Sequence, residues 1–248
     1  MKRLYILIAI LITTVSVLSA QSLKDAEEAY SKENYSTSVE IYEALADSVG
    51  VSAELYYNLG NSYYKLKNYP KAVLNYERAL LLSPGDDDVK FNLNMAKANI
   101  VDKIDVVDRS FISMWFESIR NITSSNRWAI IAVISFILFL IGIFIYIFGK
   151  QITLKKIGFF GGAILLMFSI YANIASYKQK QKIIERETAI IMAPSITIKS
   201  SPSESGTELF ILHEGTKVQI TDKMGEWSEI KIEDGNSGWI KTSEMEII

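Results

Sequence analysis

Two long apolar runs interrupt the mixed pattern of this chain. Trp128–Phe148 and Ile157–Tyr177 each hold 21 residues without a charged side chain. At about 1.5 Å of rise per residue, a helix of that length spans a hydrocarbon core of about 30 Å. A buried helix pair in a soluble protein is the alternative, and two adjacent runs of this length disfavour it. The pattern therefore predicts a two-helix transmembrane hairpin with a connecting loop at 149–156.

A shorter apolar run opens the chain. It has a basic start, an apolar core over Leu4–Leu18 and the small residues Ser19 and Ala20, which is the layout of a secretory signal peptide. An uncleaved anchor is the alternative, because Leu18 is large for a position so close to the cleavage site. In both cases the chain beyond residue 20 is exported, and the hairpin returns the C-terminus to the same side.

A 34-residue period links the apolar positions between Leu23 and about Ile100. The clearest unit, Ala53–Asp86, resembles the tetratricopeptide repeat. The residues that carry this resemblance are Leu59, Gly60, Tyr63, Ala72, Tyr76, Ala79 and Pro84. Their small members let two helices approach, and their large members fill the space between the helices. The repeat predicts an all-α array of stacked helix pairs.

The neighbouring units are less regular. Leu23–Gly50 has Ser38 where the repeat places a small alanine, and 87–99 supplies only a first helix, for which we expect Asp87 or Asp88 as the N-cap. A helix pair does not bury its apolar face alone, so we expect about two and a half repeats to stack together.

An amphipathic segment precedes the hairpin. Ile112, Trp115, Ile119 and Ile122 share one face of a predicted helix over Ser110–Ile122. This pattern favours a helix lying in the plane of the membrane interface. An ordinary packing helix that closes the repeat array is the alternative.

After the hairpin the pattern changes to short β-branched runs separated by glycine and proline. They are Ser195–Lys199, Lys217–Thr221, Trp227–Ile232 and Gly238–Lys241, with a tight-hairpin signal at Asp234-Gly235. The segments around Ile198–Pro202, Leu212–Val218, Glu226–Ile230 and Gly238–Ile240 resemble the bacterial SH3 family. We expect an all-β SH3-like barrel of about five strands.

Charge and composition exclude some partners. Residues 21–108 hold 15 acidic and 9 basic side chains, a difference of −6, and residues 188–248 hold 10 and 5, a difference of −5. Two acidic soluble parts argue against nucleic acid as a partner, because binding phosphates needs basic patches. The sequence has no cysteine, so disulfides and thiol chemistry are excluded.

Candidates for catalysis or metal binding are few. His213 is the only histidine, and we interpret it as a turn residue because one imidazole without nearby ligands makes no zinc site. Asp86–Asp88 lacks the alternating ligands of a calcium loop, and helix capping explains it better. We expect no enzyme activity, no metal and no cofactor. Gly158 and Gly162 form a GxxxG that lets another helix approach closely, but such motifs also arise by chance.

Binding surfaces remain as the candidate sites. The resemblance to tetratricopeptide repeats implies a groove on the inner face of the first helices. The residues it assigns to this groove are Glu54, Tyr57, Asn58, Asn61, Tyr64, Lys65 and Asn92. The asparagines suit a peptide backbone, whereas Tyr57 and Tyr64 have packing against the neighbouring repeat as an equal alternative. In the SH3-like part, Trp227 and Trp239 are candidates for a ligand shelf, although we expect one of them in the core.

The order of these segments resembles the E proteins of the Bacteroides aerotolerance operon, the BatE family. The resemblance implies a two-pass protein of the bacterial inner membrane with both soluble parts in the periplasm. It further implies partner proteins with von Willebrand factor A domains in a complex linked to aerotolerance or oxidative stress. The function expected is that of a non-catalytic scaffold, and the alternative is a cell-wall sensor that binds peptidoglycan through the SH3-like part.

The predicted organisation is a multidomain membrane protein. Its segments are 1–20 signal peptide, 21–108 repeats, 109–127 amphipathic juxtamembrane segment, 128–148 and 157–177 transmembrane helices, 149–156 cytoplasmic loop, 178–187 linker and 188–248 SH3-like domain.

Overall fold

A computed structural model describes residues 22–48, 50–104 and 110–248. The predicted signal peptide lies outside the described residues, so its role stays a prediction. The chain divides into two compact units. The first combines the repeat helices with the C-terminal β-sheet, and the second contains the apolar helices.

Five helices build the repeat region of the first unit. They are α1 (residues 22–31), α2 (Tyr35–Ser48), α3 (Ala53–Lys65), α4 (Tyr69–Leu82) and α5 (Asp87–Lys97). The turns after α1 and α3 have the same construction 34 residues apart, with Glu33 and Lys67 in the left-handed region at φ 61° and 60°. The predicted period therefore appears in the backbone itself. The N-cap of α5 is Asp86, whose carboxylate accepts from the Val89 N–H at 3.1 Å, and not Asp87 or Asp88.

Small residues set the distance between the repeat helices, as the pattern predicts. Ala72 and Ala79 are fully buried. A Cβ atom on Gly60 would lie 2.7 Å from two ring carbons of Tyr76, so the tyrosine ring occupies the space that a side chain would need. At the irregular position, Ser38 is also fully buried, and its hydroxyl lies 3.1 Å from that of Ser62.

The second unit contains α6 (Phe111–Arg120), α7 (Ser125–Phe148) and α8 (Ile152–Glu185). The helices α7 and α8 have 24 and 34 residues and are apolar enough to cross a membrane. α8 begins inside the predicted loop 149–156 and continues through most of the predicted linker 178–187. A bilayer accepts only the apolar residues, but lysines at both ends of the run and glutamines at its C-terminal end are good helix formers and extend the helix.

Glycines bring α7 and α8 together. A Cβ atom on Gly158 would lie 2.6 Å from the carbonyl oxygen of Gly142, and a Cβ atom on Gly142 would lie 3.2 Å from the Cα of Gly162. The GxxxG motif is thus occupied by the other helix of the same hairpin. The Ser169 hydroxyl donates to the carbonyl oxygen of Ala132 at 2.8 Å, which adds a buried hydrogen bond to this contact.

The C-terminal region forms an antiparallel sheet of seven strands in the order β3-β2-β6-β5-β4-β1-β7. The strands are β1 (Thr188–Ile191), β2 (Ser195–Lys199), β3 (Glu208–His213), β4 (Lys217–Met224), β5 (Trp227–Lys231), β6 (Ser237–Lys241) and β7 (Met245–Ile247). The tight hairpin predicted at Asp234-Gly235 is confirmed between β5 and β6, where Gly235 has φ 94°.

The predicted number of about five strands is wrong, because β1, β3 and β7 were missed. β1 and β3 are nearly continuous apolar runs whose period does not identify a strand, and β7 has only three residues.

The sheet and the repeats share apolar contacts within the first unit. Ile190 of β1 and the terminal Ile248 are buried in one cluster with the cores of α2–α5, and Met192 packs against it. Ile104, beyond α5, packs against the core of the sheet. The sheet therefore covers the end of the repeat array at α5, the last repeat helix in the described part of the first unit.

Candidate functional site

A groove of about 250 Å³ opens among the repeat helices. It lies between α1, α3, α4 and α5. Its lining residues are Tyr30, Asn61, Tyr64, Lys65, Tyr76, Phe91, Asn92 and Met95. Phe91 and Met95, one helical turn apart on α5, are 65% and 45% exposed, so an apolar surface faces the opening.

The structure brings together part of the predicted set. Asn61, Tyr64, Lys65 and Asn92 line the groove, whereas Glu54, Tyr57 and Asn58 are not among its lining residues. The lining residues that the prediction missed are Tyr30, Tyr76, Phe91 and Met95. Three of them lie one period of 34 residues from a residue of the predicted set, so the period contained a signal for them. Tyr30 lies 34 residues before Tyr64, Phe91 lies 34 after Tyr57, and Met95 lies 34 after Asn61.

Hydrogen bonds fix the polar side of the groove. The Tyr76 hydroxyl donates to Oδ1 of Asn61 at 2.8 Å, and Nδ2 of Asn92 donates to the same oxygen at 2.9 Å. Nδ2 of Asn92 also donates to the Tyr57 hydroxyl at 3.1 Å. Burial raises the pKa of Tyr76, which keeps its hydroxyl protonated as a donor. Within the described part of the chain, Nδ2 of Asn61 and Oδ1 of Asn92 have no partner.

The tyrosines of the predicted set have different roles. Tyr57 contacts the next repeat through Asn92, and its ring centroid lies 6.2 Å from that of Tyr76, so Tyr57 is a packing residue. Tyr64 lies edge-on to Tyr69 with ring centroids 5.6 Å apart and still lines the groove.

The lining defines the chemistry that the groove can accept. Lys65 is the one charged residue among the eight described lining residues, and five of the eight are tyrosine, phenylalanine or methionine. A volume of about 250 Å³ is below the roughly 300–1,000 Å³ of small-molecule sites. One side chain of a ligand fits this space, and the free donor of Asn61 and acceptor of Asn92 match the two polar groups of a peptide bond.

The tryptophans of the sheet lie on its outer face. Trp227 pairs with Lys241, and Trp239 pairs with Glu229, so both rings face away from the buried Ile230 and Ile240. Both tryptophans are half-buried, which contradicts the expectation that one belongs to the core. Successive side chains of a strand point to opposite faces of the sheet, and the neighbouring positions Ile230 and Ile240 face the core. The ammonium group of Lys241 lies 6.0 Å from the Trp227 ring centroid.

A buried ion cluster joins the sheet to the repeats. Glu77 of α4, with 8% of its side chain exposed, accepts from Lys97 of α5 at 2.7 Å and from Lys217 of β4 at 2.6 Å. Burial alone would raise the pKa of Glu77, but Lys217 and Lys97 outweigh it and the pKa is lowered. The ion cluster is therefore charged at neutral pH.

His213 lies at a second contact of this junction. Its N–H donates to Oδ2 of Asp102 at 2.7 Å, its Nδ1 lies 2.7 Å from Oδ1, and the Thr216 hydroxyl donates to Oδ2 at 2.7 Å. Burial works against ionisation of Asp102, but these hydrogen bonds lower its pKa. His213 is the last residue of β3 and pairs with Ser195, so its interpretation as a turn residue is wrong by one position, since the turn begins at Glu214. Its carboxylate partner was not foreseen. No group of three or more potential metal ligands occurs among the described residues.

Two family models match separate parts of the chain. Residues 53–86 match the tetratricopeptide repeat, and residues 194–246 match the bacterial SH3 domain. The predicted domain composition is confirmed to that extent. A tetratricopeptide repeat suggests protein–protein interaction, and a bacterial SH3 domain suggests cell-wall binding. No curated protein matches the chain.

Proposed function

We propose that this protein is a non-catalytic, membrane-anchored scaffold whose repeat groove captures an extended segment of a partner protein. The observation that carries the proposal is the groove itself, in which the amides of Asn61 and Asn92, hydrogen-bonded to each other, lie beside the exposed apolar side chains of Phe91 and Met95. Each amide keeps one polar atom for a ligand, Nδ2 of Asn61 and Oδ1 of Asn92. Amides bind a peptide backbone and an apolar pocket binds a side chain, which is how extended peptides are recognised.

The anchor in this proposal is the pair α7 and α8. Both helices exceed the roughly 20 residues that a bilayer requires, and large apolar side chains along α7, such as Ile137 and Phe144, are 51% and 60% exposed. Lipid would cover these side chains. The apolar start of the chain supports export. We infer from it a two-pass inner-membrane protein with both soluble parts in the periplasm.

The order of the segments supports a finer proposal. Export signal, tetratricopeptide repeats, apolar hairpin and bacterial SH3 domain follow one another as in the BatE family. We infer that the partners are membrane proteins with von Willebrand factor A domains, in a complex that acts in aerotolerance or the response to oxidative stress.

Co-purification tests the groove. The double variant Phe91→Ala/Met95→Ala removes exposed lining side chains without touching the hydrogen bonds of Asn61. We expect it to lose the proteins that crosslink to the full-length protein in its native membranes, as read by mass spectrometry. The control is Leu66→Ala/Val101→Ala, which truncates two apolar side chains that are 43% and 66% exposed outside the groove. Equal recovery of partners from both variants would refute the assignment of the groove.

A second candidate function is cell-wall binding by the outer face of the sheet. The observation that favours it is the pair of half-buried tryptophans, Trp227 and Trp239, on one face of β5 and β6. Because Ile190 and Ile248 pack into the repeat core, the full-length protein is the material to test. Sedimentation with purified sacculi that is lost in Trp239→Ala supports this function, and absence of the wild-type protein from the pellet excludes it.

A further inference from the structure

Helix α6 exposes an unusual amount of apolar surface. None of its residues is buried. Phe111, Ile112 and Trp115 are 78%, 65% and 54% exposed, and Met114 and Phe116 are 50% and 47% exposed. Single exposed apolar side chains are common on protein surfaces, but a contiguous apolar patch marks a surface that something covers.

The apolar residues of α6 are sorted to one side. Phe111, Met114, Trp115 and Ser118 occupy positions i, i+3, i+4 and i+7, which places them on one face of the helix. The charged Glu117 and Arg120 lie with Ser113 on the other side. The polar groups of the first face are the Ser118 hydroxyl and the Nε1–H of Trp115, and none of its four side chains is charged.

The C-terminal end of α6 is attached to the apolar helices of the same unit. The carbonyl oxygen of Arg120 accepts from Nε1 of Trp128 at 2.8 Å and from Nε2 of Gln179 at 2.6 Å. Ile119 packs against the buried cluster that contains Trp128. The Lys182 ammonium donates to Glu117 at 3.2 Å.

These contacts fix α6 at one end of the hairpin. Trp128 begins the first apolar run, while Gln179 and Lys182 follow the end of the second, where the polar residues resume. A helix held there lies at the depth where hydrocarbon gives way to headgroups, if the hairpin spans the bilayer. Tryptophan is enriched at that depth, because its ring suits both environments.

We propose that α6 lies in the membrane interface, with the face formed by Phe111, Met114, Trp115 and Ser118 inserted among lipids. The inference rests on the proposed membrane insertion of α7 and α8. An apolar helix face enters about 5–10 Å into the boundary between headgroups and acyl chains. Arg120 and Lys182 then lie at headgroup level, where basic side chains favour anionic lipids.

Continuity with the hairpin is the reason to assign lipid as the occupant. Lipid must cover the exposed side chains of α7, and α6 is bonded to the ends of the same helix pair. A surface that is attached to these helix ends and carries phenylalanine, methionine and tryptophan extends the lipid-facing surface of the hairpin.

Spin labels can measure the depth of each face, because the chain has no native cysteine. Ser118→Cys lies on the apolar face and Ser113→Cys on the polar face, about 140° apart around the helix at about 100° per residue. Both serines are exposed, so the two substitutions are matched. Ile137→Cys at the exposed middle of α7 reports whether the hairpin is inserted.

The full-length protein is labelled in nanodiscs that contain anionic lipid, and the collision rates of each label with oxygen and with a water-soluble nickel chelate are compared. We expect the oxygen-to-nickel ratio at Ser118→Cys to exceed that at Ser113→Cys severalfold and to approach that at Ile137→Cys. Oxygen concentrates in hydrocarbon and nickel chelate stays in water, so the ratio reports depth.

Three other outcomes overturn the inference in distinguishable ways. A lipid-like ratio at Ile137→Cys with water-like ratios at both serine positions would place α6 in solution and leave the anchor intact. An immobile label at Ser118→Cys that neither reagent reaches would place a protein surface against this face. A water-like ratio at Ile137→Cys would refute the membrane insertion of the hairpin itself.

Discussion

Single side chains show how an irregular repeat keeps its packing. Ser38 stands where a tetratricopeptide repeat has a small alanine, and its hydroxyl would be costly to bury without a partner. Ser62 supplies that partner at 3.1 Å and also donates to the carbonyl oxygen of Asn58 at 2.9 Å. The two serines are therefore unequal, because Ser62 keeps a hydrogen bond when Ser38 is removed, whereas Ser38 loses the only partner found for it among the described residues.

This asymmetry predicts different costs for two identical truncations. Ser62→Ala leaves the buried Ser38 hydroxyl unsatisfied and should lower the free energy of unfolding by about 1–3 kcal/mol. Ser38→Ala restores the alanine of the repeat and should change the free energy of unfolding by less than about 0.5 kcal/mol. Chemical denaturation of the full-length protein in detergent measures both variants. Equal costs would show that the Ser38 hydroxyl has another partner.

Secondary-structure elements are held together by close backbone contact as well as by side chains. In the hairpin, glycines of α8 lie against Gly142 of α7, which places the two helix backbones in direct contact. Gly161, on the same helix, has no atom within 4 Å of its would-be Cβ. The two positions thus separate the effect of a methyl group on helix packing from its effect on the helix itself.

Gly158→Ala should therefore separate α7 from α8, and Gly161→Ala should not. The methyl group at Gly158 meets the carbonyl oxygen of Gly142 at 2.6 Å, and relief of this clash changes the crossing of the two helices. The Ser125 and Ser176 hydroxyls lie 3.4 Å apart at the far end, so a cysteine pair at these positions reports the change. We expect disulfide formation in micelles to slow severalfold in Gly158→Ala. Unchanged rates in both alanine variants would contradict the contact.

At the scale of the whole molecule, the junction between sheet and repeats makes the first unit one structure. Arg78 of α4 donates to Glu246 at 3.0 Å and to the carbonyl oxygen of Ile247 at 2.6 Å, both close to the C-terminus. Together with the Glu77 and Asp102 contacts, these bonds join residues more than one hundred positions apart. The sheet therefore serves the repeats as a cap, and we expect both parts to unfold together.

The carboxylates of the junction predict a dependence on pH. The pKa values of Glu77 and Asp102 are lowered in the folded protein. Both carboxylates therefore stabilise the fold fully at any pH above their unfolded pKa values of about 4. This stabilisation is lost as the pH falls through their lower pKa values in the folded protein. The melting temperature of the first unit should stay level from pH 7 to about 5 and decline below about pH 4.

Glu77→Gln is the control that isolates one carboxylate. At pH 7 it leaves Lys97 and Lys217 without their charged partner and should cost about 2–3 kcal/mol, below the 3–5 kcal/mol of a fully buried pair because both lysines are partly exposed. The difference in melting temperature from the wild type should shrink as pH falls toward 3, because the wild-type carboxyl then becomes neutral as well. A constant difference across this range would show that the charge of Glu77 contributes nothing.

The helices and several turns and strands of this protein follow from its sequence, whereas β1, β3 and β7 do not. The 34-residue period predicted the helix pairs, and the positions of Gly60, Ala72 and Ala79 predicted where the helices approach. The runs without charge predicted α7 and α8, and Asp234-Gly235 predicted a hairpin turn. These features arise from neighbours along the chain, where the period of apolar residues and the conformational freedom of glycine are sufficient to determine the structure.

Tertiary structure decided which of these elements meet. Lys217 and Asp102 have no sequence signal that pairs them with Glu77 and His213, because a single charged residue is compatible with many partners. The groove was predicted only in part, because a sequence does not show which distant side chains contact one another. The resemblance to tetratricopeptide repeats implied Asn61 and Asn92 as groove residues. It did not show that their amides bond to each other or that Phe91 lines the groove beside them. Contacts between distant residues depend on how the helices and strands pack, and that packing exists only in the folded molecule.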